Sequence, residues 1–274
     1  MVWGNDRGAA LVPYGADSPE AAHPVALPGP DPNPILPRMT TPTALVTGAT
    51  EGIGRAIAVA LGREGYRVGV CARTAGRVET LVADLRQDGV TAAGTAADVG
   101  DPDQVAAAVA GITGQLGPVD VLVNNAGVGI LKPFDQLTLA DWDVTMATNL
   151  RSMYLVTREV LPGMRQRGRG AIVNIASLAG KNAVVGGTAY AASKHAVLGF
   201  SKSLMLEVRK DGVRVVAICP GSVETGFGRD RTVPKISKAG VLQPDDVADV
   251  VVAALRLPER ALASEIDLRP ANPS

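Results

Sequence analysis

Aromatic residues, cysteines and histidines are all scarce in this chain of 274 residues. Phe, Tyr and Trp make up only 3% of it, and it has two cysteines and two histidines. His23 and His195 have no cluster of Cys, Asp or Glu beside them, so the sequence offers no convincing metal site. Cys71 and Cys219 each end an apolar run, which indicates buried core thiols in a reducing cytoplasm; a disulfide or a reactive thiol is the alternative.

Net charge and long apolar runs are missing as well. The chain has 27 basic and 27 acidic residues, a balance that gives no basic face for nucleic acid. No apolar run approaches the ~20 residues that are needed to span a bilayer. The sequence therefore predicts a cytoplasmic protein that binds neither nucleic acid nor a membrane.

Residues 1–38 differ in composition from the rest of the chain. They hold eight of the 19 prolines and show no helix or strand periodicity, which predicts a disordered or extended arm. They lack the basic start and apolar stretch of a signal peptide. Met39 directly precedes the first predicted strand. The arm is therefore an upstream-start artefact, a linker from a fused neighbour or a native tail, and residues 39–274 form the predicted domain.

From residue 43 onward, short apolar runs alternate with segments of helical periodicity. Hydrophobic residues make up 46% of the chain but few are aromatic, so the core must be Ala, Val, Leu and Ile, which suits a parallel sheet covered by helices. The alternation predicts an α/β fold, a single Rossmann-like, doubly wound domain with a seven-stranded parallel sheet. Predicted strands cover 44–46, 67–71, 90–96, 119–123, 171–175, 213–218 and 265–268, and predicted helices cover 53–64, 76–87, 102–116, 139–166, 189–210 and 244–255.

A tyrosine and a lysine four residues apart, Tyr190 and Lys194, form the most informative motif. On a helix this spacing puts both side chains on one face. A free phenol has a pKa of about 10, and a nearby cation lowers it, so Lys194 is expected to make Tyr190 more acidic. Ser177 follows an apolar run thirteen residues before Tyr190. The group predicts proton exchange with an alcohol or a ketone.

A glycine-rich loop, residues 47–54, lies between the first predicted strand and the first predicted helix. Glycines let the backbone approach a pyrophosphate closely, and the helix N-terminus then offers free N–H groups and the positive end of its dipole. The placement between strand and helix predicts dinucleotide binding.

These motifs, together with Asn-Asn-Ala-Gly at 124–127, resemble the short-chain dehydrogenase/reductase family over residues 43–270. The resemblance implies four catalytic residues. Tyr190 is the general acid in ketone reduction, and Lys194 also holds the nicotinamide ribose. Ser177 donates a hydrogen bond to the substrate carbonyl oxygen. Asn149 holds a water that relays protons to the lysine.

The resemblance also implies which residues bind the cofactor. Asp98 and Val99 border the adenine, while Val223 and Thr225 contact the nicotinamide carboxamide. The full expected set is Gly48, Thr50, Glu51, Gly52, Ile53, Gly54, Arg73, Thr74, Asp98, Val99, Asn125, Ala126, Gly127, Tyr190, Lys194, Pro220, Gly221, Val223 and Thr225.

Arg73 predicts the choice of cofactor. At the end of the second strand, NAD enzymes place an acidic residue for the ribose 2′-hydroxyl, but this chain has Ala72 followed by Arg73. A guanidinium suits a 2′-phosphate, so NADP(H) is expected. Glu51 argues against this choice, because NADP-preferring relatives often carry a basic residue there.

Longer stretches, at 70–73, 117–123, 172–177 and 218–221, resemble the ketoreductases of aromatic polyketide biosynthesis. The implied partner is a small-molecule ketone on a polycyclic ring system. The short segment 226–240 predicts a small lid and a wide pocket, and Ser222 replaces a residue that is commonly larger. This lid has four basic residues that are either solvated charges or contacts for a carrier protein: Arg229, Arg231, Lys235 and Lys238. The expected substrate-binding residues are Ser177, Leu178, Val185, Tyr190, Gly221 and Ser222.

Other functions remain open at this level. A 3-oxoacyl thioester is the rival substrate, and the same fold also supports a non-catalytic NADP sensor or an interaction protein. The long helices at 139–166 and 189–210 are the family's subunit-pairing surface, and exposing their apolar residues would be costly, so a homo-oligomer is expected.

Overall fold

The structure, a computed structural model, describes residues 41–227 and 240–271. The predicted arm, residues 1–38, lies outside the described residues. Arg229, Arg231, Lys235 and Lys238 of the predicted lid also lie outside them.

Seven strands form one sheet in which every neighbouring pair is parallel, which confirms the predicted fold class. The sheet order is β3-β2-β1-β4-β5-β6-β7. The order reverses between β1 and β4, and in such sheets ligands bind at the carboxyl ends of the strands at this switch point. The strands are β1 (Thr43–Thr47), β2 (Arg67–Ala72), β3 (Ala92–Ala96), β4 (Val121–Asn124), β5 (Gly170–Ile175), β6 (Val213–Pro220) and β7 (Glu265–Leu268).

The described residues form seven α-helices, and six of them cover the two faces of the sheet. Side chains of α1, α2 and α7 pack on one face, and those of α3, α5 and α6 pack on the other. Almost all of the buried hydrophobic side chains are Ala, Val, Leu or Ile, as the composition predicted. The helices are α1 (Gly52–Arg63), α2 (Ala75–Gln87), α3 (Pro102–Leu116), α4 (Leu139–Met146), α5 (Ser152–Arg167), α6 (Thr188–Val208) and α7 (Pro244–Leu255).

The continuous helix predicted over 139–166 is wrong in one respect. A π-helical turn, Ala147–Arg151, separates α4 from α5. Such a turn adds one residue to the helical repeat, and periodicity alone does not show it; it is often found at functional sites. Asn149 lies in this turn and is fully buried.

The helix N-termini differ in how they are capped. The Asp101 side chain accepts hydrogen bonds from the first-turn N–H groups of α3, and Gln243 and Asp246 cap α7 reciprocally. Helix α1 has no side-chain cap and no acidic residue in its first turn. Its free N–H groups are therefore open to an anion, which is the arrangement that the glycine-rich loop predicted.

Both cysteines are buried and unpaired, as predicted. Burial raises the pKa of each thiol to about 11, so neither is a reactive thiolate near neutral pH. Within 41–227 and 240–271, no helix is long and apolar enough to cross a membrane. Over the same residues, no three His, Cys, Asp or Glu side chains are grouped to hold a metal ion.

Candidate active site

The sequence-predicted residues gather at the carboxyl ends of β1, β4, β5 and β6, around the switch point. Ser177 lies two residues after β5, while Tyr190 and Lys194 lie in the first turns of α6. Asn149 approaches them from the π-helical turn. The structure therefore brings the four expected catalytic residues to one edge of the sheet.

Three positions of the glycine-rich loop leave no room for a side chain. Gly48 and Gly52 have φ angles of 62° and 53°, in the left-handed region that favours glycine. A Cβ atom on Gly48 would lie 2.8 Å from the Cα of Ala126. A Cβ atom on Gly54 would collide with the carbonyl oxygen of Gly48 and the side-chain amide of Asn125. The glycines therefore let the loop pack closely against the residues that follow β4 at the N-terminus of α1.

Two polar side chains hold the glycine loop against the loop that follows β4. The Asn125 amide donates hydrogen bonds to the carbonyl oxygens of Thr47 and Gly48, each at 3.0 Å. The Thr47 hydroxyl accepts from the N–H groups of Asn125 and Ala126 at 3.0 and 3.1 Å. The expected cofactor residues that follow β1 and β4 are thus fixed to one another by hydrogen bonds within the chain.

Asn149 connects three elements of the site. Its side-chain oxygen accepts from the Val128 N–H at 2.7 Å, and its amide nitrogen donates to the Val128 carbonyl at 3.0 Å. The same nitrogen donates to the Ser193 hydroxyl at 3.0 Å, and that hydroxyl donates to the Tyr190 carbonyl at 2.7 Å. Asn149 therefore links the loop after β4 to the helix turn that carries the phenol, and its expected role in holding a water stays a prediction.

Ser193 was missed by the sequence reasoning, although it lies inside the Tyr190–Lys194 motif. It is fully buried, and it is the link between Asn149 and the Tyr190 backbone. A serine in the apolar interior of a helix was the signal that could have identified it, because a buried hydroxyl needs hydrogen-bond partners.

The Tyr190 phenol has a raised pKa. Burial of the ring raises it, and the interacting Ser177 side chain lowers it by less. The expectation that Lys194 makes the phenol more acidic is therefore not met: burial prevails, and the ammonium lies 5.9 Å from the ring centroid. The Ser177 oxygen accepts from the Ala179 N–H at 3.1 Å, which leaves the hydroxyl proton available for donation.

The Lys194 side chain is buried beneath Tyr190. Its Nζ donates to the Ile175 carbonyl at 2.8 Å, and a Cβ atom on Gly127 would lie 3.9 Å from that nitrogen. Burial lowers the pKa of the ammonium to about 8. Lys194 can therefore exchange a proton close to neutral pH, which a solvated lysine with a pKa of about 10.4 does not do.

Arg73 is exposed directly after β2, with Thr74 as the N-terminal flanking residue of α2. Glu51, the residue that argued against NADP(H), pairs with Arg77 at 2.9 Å. Its carboxylate charge is therefore balanced by an arginine. Asp98 is exposed after β3 and accepts from the Gly100 N–H at 2.8 Å, while Val99 is buried.

The loop after β6 is fixed at its base. The Gly221 N–H donates to the Leu268 carbonyl at 2.8 Å, and backbone hydrogen bonds join Ser222 and Glu224 to Leu242 at 2.9 and 2.7 Å. Thr225 packs against the glycine loop, because a Cβ atom on Gly52 would lie 3.1 Å from its methyl carbon.

The expected substrate residues differ in how far they are exposed. Leu178 packs near Gly221, Val185 is fully exposed and Ser222 is exposed. Phe227 was missed by the sequence reasoning: its ring centroid lies 5.7 Å from that of Tyr190, and 48% of the residue is exposed. Its signal was its rarity, since the chain contains only three phenylalanines and this one follows Thr225 by two residues.

Comparison with known proteins gives a consistent result. The family model described as short chain dehydrogenase matches residues 42–234. A Streptomyces coelicolor protein with the provisional name ketoacyl reductase is 44% identical over 76% of this chain and 87% of its own length. A provisional ketoacyl reductase 1 of the granaticin polyketide synthase, from Streptomyces violaceoruber, is 47% identical over 67% of this chain and 68% of its own length.

A solved structure is similar over most of this chain. A single-residue variant of the actinorhodin polyketide ketoreductase, crystallised with NADPH, matches with a TM-score of 0.78 and 39% identity. The match covers 84% of this chain and 96% of that protein.

Proposed function

Because the chain belongs to the short chain dehydrogenase family, we propose that it is an NADPH-dependent ketoreductase. Its proposed reaction reduces a ketone of an aromatic polyketide to a secondary alcohol, in the tailoring of an antibiotic. The observation that carries the proposal is the convergence of the Tyr190 phenol, the Ser177 hydroxyl and the buried Lys194 ammonium at the edge of the sheet where the glycine-rich loop lies.

The described residues fit a dinucleotide. Glycine at 48 and 54 allows the loop to turn tightly beside Ala126 and Asn125, and helix α1 leaves its N–H groups without a side-chain cap. A pyrophosphate at this helix N-terminus would be held by those N–H groups and by the helix dipole. Arg73 would hold the 2′-phosphate, which distinguishes NADPH from NADH. When it is bound, NADPH supplies a hydride to the carbonyl carbon.

Tyr190 supplies the proton. Its raised pKa keeps the phenol protonated at neutral pH, so it can donate its proton to the carbonyl oxygen as negative charge develops there. Ser177 donates a second hydrogen bond to that oxygen, with its own acceptor site filled by the Ala179 N–H. The pair therefore stabilises the developing alkoxide and then protonates it.

Lys194 restores the proton to Tyr190 and holds the nicotinamide ribose hydroxyls in this proposal. One of its three N–H groups donates to the Ile175 carbonyl, and the other two remain for these roles. Its pKa of about 8 allows the ammonium to release a proton after each turnover and to regain one from solvent.

The polyketide substrate rests on the relatives and on Phe227. This half-exposed apolar ring lies 5.7 Å from the Tyr190 ring, so a largely apolar ring ketone suits the site. A linear 3-oxoacyl thioester is the second candidate, because the S. coelicolor relative is named for a ketoacyl substrate.

The test measures NADPH consumption with a fused-ring ketone, 2-tetralone, and with the N-acetylcysteamine thioester of 3-oxobutanoate. We expect turnover of 2-tetralone, at least a thousandfold reduced in Tyr190→Phe and unchanged in Tyr154→Phe, a matched change at a half-exposed tyrosine on α5. Equal loss in both variants would contradict the role of Tyr190. A preference for the thioester would replace the polyketide substrate with the fatty-acid type, and NADPH binding without any turnover would favour the sensor function.

A cytoplasmic homo-oligomer is part of the proposal. Leu139 and Trp142 on α4, Tyr154 on α5 and Leu206 on α6 are large apolar side chains with substantial exposure. Covering them against a second copy would remove that apolar area from water. The two unpaired, buried cysteines suit a reducing compartment. Light scattering of the purified protein would test the assembly, and a monomer at micromolar concentration would overturn it.

A further inference from the structure

Phe227 occupies a fixed position beside the candidate catalytic tyrosine. The base of its loop is bonded to Leu242, and the Phe227 N–H donates to the Thr225 hydroxyl at 3.2 Å. Thr225 in turn packs against Gly52 of the glycine loop. The backbone that carries the ring is therefore tied to the cofactor side of the site.

The Phe227 ring bridges two walls of the site. It lies 5.7 Å from the Tyr190 ring with an interplanar angle of 56°, which is within the range of favourable tilted aromatic pairs. On its other side it lies directly on Gly129, where a Cβ atom would overlap the ring edge. Glycine at 129 is thus what allows an aromatic ring to lie at this height above the sheet.

One part of this ring remains in contact with solvent. Phe227 is 48% exposed although it touches Tyr190 and Gly129. Leu178 packs against Gly221 directly after β6. Ser222, the next residue, has no ring to offer. The exposed aromatic surface next to the proton donor is therefore supplied by Phe227.

We infer that Phe227 is a specificity-determining residue whose ring is the platform on which a flat, fused-ring substrate stacks. Stacking there places a ring ketone beside the Tyr190 phenol and removes apolar area of both partners from water. A linear 3-oxoacyl chain has no ring to stack and gains little from it. This inference rests on the proposed function and adds a selectivity determinant to it.

The test compares wild-type protein with Phe227→Ala and Phe227→Leu. For 2-tetralone, we expect kcat/KM to fall about tenfold in Phe227→Ala, mainly through KM, and by a smaller factor in Phe227→Leu, which keeps apolar bulk without a ring. For the 3-oxobutanoyl thioester, kcat/KM should change less than about threefold. Phe134→Ala, which removes a phenylalanine that is 75% exposed, is the matched control and should leave both substrates unaffected.

Several outcomes would overturn the inference. An equal loss for both substrates would mean that Phe227 acts through Tyr190 rather than by stacking, and an equal loss in Phe134→Ala would remove its specific role. Calorimetric binding of 2-naphthol, a flat two-ring alcohol that cannot be reduced by hydride transfer, should weaken about tenfold in Phe227→Ala. If the wild-type protein reduced neither ketone, the proposed function would fail, and this titration would still decide whether Phe227 binds flat rings.

Discussion

The cofactor side and the substrate side of the site are built in different ways. On the cofactor side, Gly48, Gly52 and Gly54 remove side chains, and Thr47 and Asn125 fix two loops by hydrogen bonds to backbone. On the substrate side, Phe227 and Val185 offer exposed apolar side chains on segments that come from different parts of the chain. The cofactor side is therefore shaped by the backbone, and the substrate side is shaped by the side chains that remain in contact with water.

This difference has a functional meaning. Each NADPH molecule has the same phosphates, so a site of fixed backbone N–H groups serves every turnover. Ketones differ from one another in shape, and exposed side chains can change without disturbing the sheet. We therefore expect substitutions on the cofactor side to affect NADPH binding and folding together. Substitutions on the substrate side should affect only the choice among ketones.

The largest effect should follow from Gly54→Ala. The new Cβ atom would collide with the Gly48 carbonyl and with the Asn125 amide, and relieving such overpacking typically costs about 1–3 kcal/mol. We expect NADPH binding, measured by fluorescence titration, to weaken about a hundredfold. The matched control is Gly114→Ala on the exposed face of α3, where nothing lies within 4 Å and stability should rise by about 0.5–1 kcal/mol. Tight NADPH binding by Gly54→Ala would contradict the claim that backbone shape determines the cofactor side.

Asn125→Ala and Asn149→Ala sharpen the comparison, since each removes one hydrogen-bonded side-chain amide. Asn149 makes three hydrogen bonds, to Val128 and Ser193, and each contributes about 1 kcal/mol. We expect Asn149→Ala to lower kcat about tenfold or more, because the helix turn that carries Tyr190 loses its support. Asn125→Ala should instead raise KM for NADPH. Steady-state kinetics with both substrates varied would separate the two, and the same parameter changing in both variants would contradict the division.

The pH dependence should report Lys194. Its ammonium has a pKa of about 8 and is protonated below that value, while the raised pKa of Tyr190 keeps the phenol protonated throughout this range. Reduction that needs the ammonium should therefore slow as pH rises, by about tenfold between pH 7 and 9. In Ser177→Ala the rate should fall at every pH, but the alkaline limb, the decrease in rate above about pH 8, should stay. In Lys194→Arg the limb should vanish, and a limb still near pH 8 in that variant would exclude Lys194 as its source.

The smallest effect should come from Arg73→Ala, because Arg73 is exposed and its ion pairing with phosphate is screened by water. We expect KM for NADPH to rise three- to tenfold and KM for NADH to stay unchanged, as measured by initial rates with each cofactor. Arg77→Ala, which removes the partner of Glu51 on the same surface, is the control. A larger rise in KM for NADPH in Arg77→Ala would indicate that Arg77, and not Arg73, binds the 2′-phosphate.

The sequence predicted the parts that depend on local spacing. Gly48, Gly52 and Gly54 follow one strand directly, and Tyr190 and Lys194 share a helix face, so short-range geometry was sufficient to bring each group together. The parallel sheet followed from the same alternation of strands and helices. The π-helical turn at Asn149 was not predicted, because an apolar periodicity over 139–166 tolerates one extra residue.

Tertiary burial decided the rest. The pKa of Tyr190 was expected to fall because Lys194 is four residues away, but the packing that places both side chains in the interior raises it. The contact of Phe227 with Gly129 joins residues 98 positions apart, as counted from their numbers, and no local pattern encodes it. Residue spacing therefore identified the chemical groups of the site. Their pKa values and their contacts with distant residues could be read only from the folded structure.

The π-helical turn makes the number of residues in this segment a constraint on the enzyme, in addition to their identity. Removing one residue from Ala147–Arg151 would restore a regular α-helix and rotate everything on one side of the deletion by about 100°. Asn149 would then face away from Val128 and Ser193, although every side chain of the site would still be encoded. In the divergence of related genes, this segment should therefore accept changes of amino acid far more readily than insertions or deletions, even though it lies within a helix.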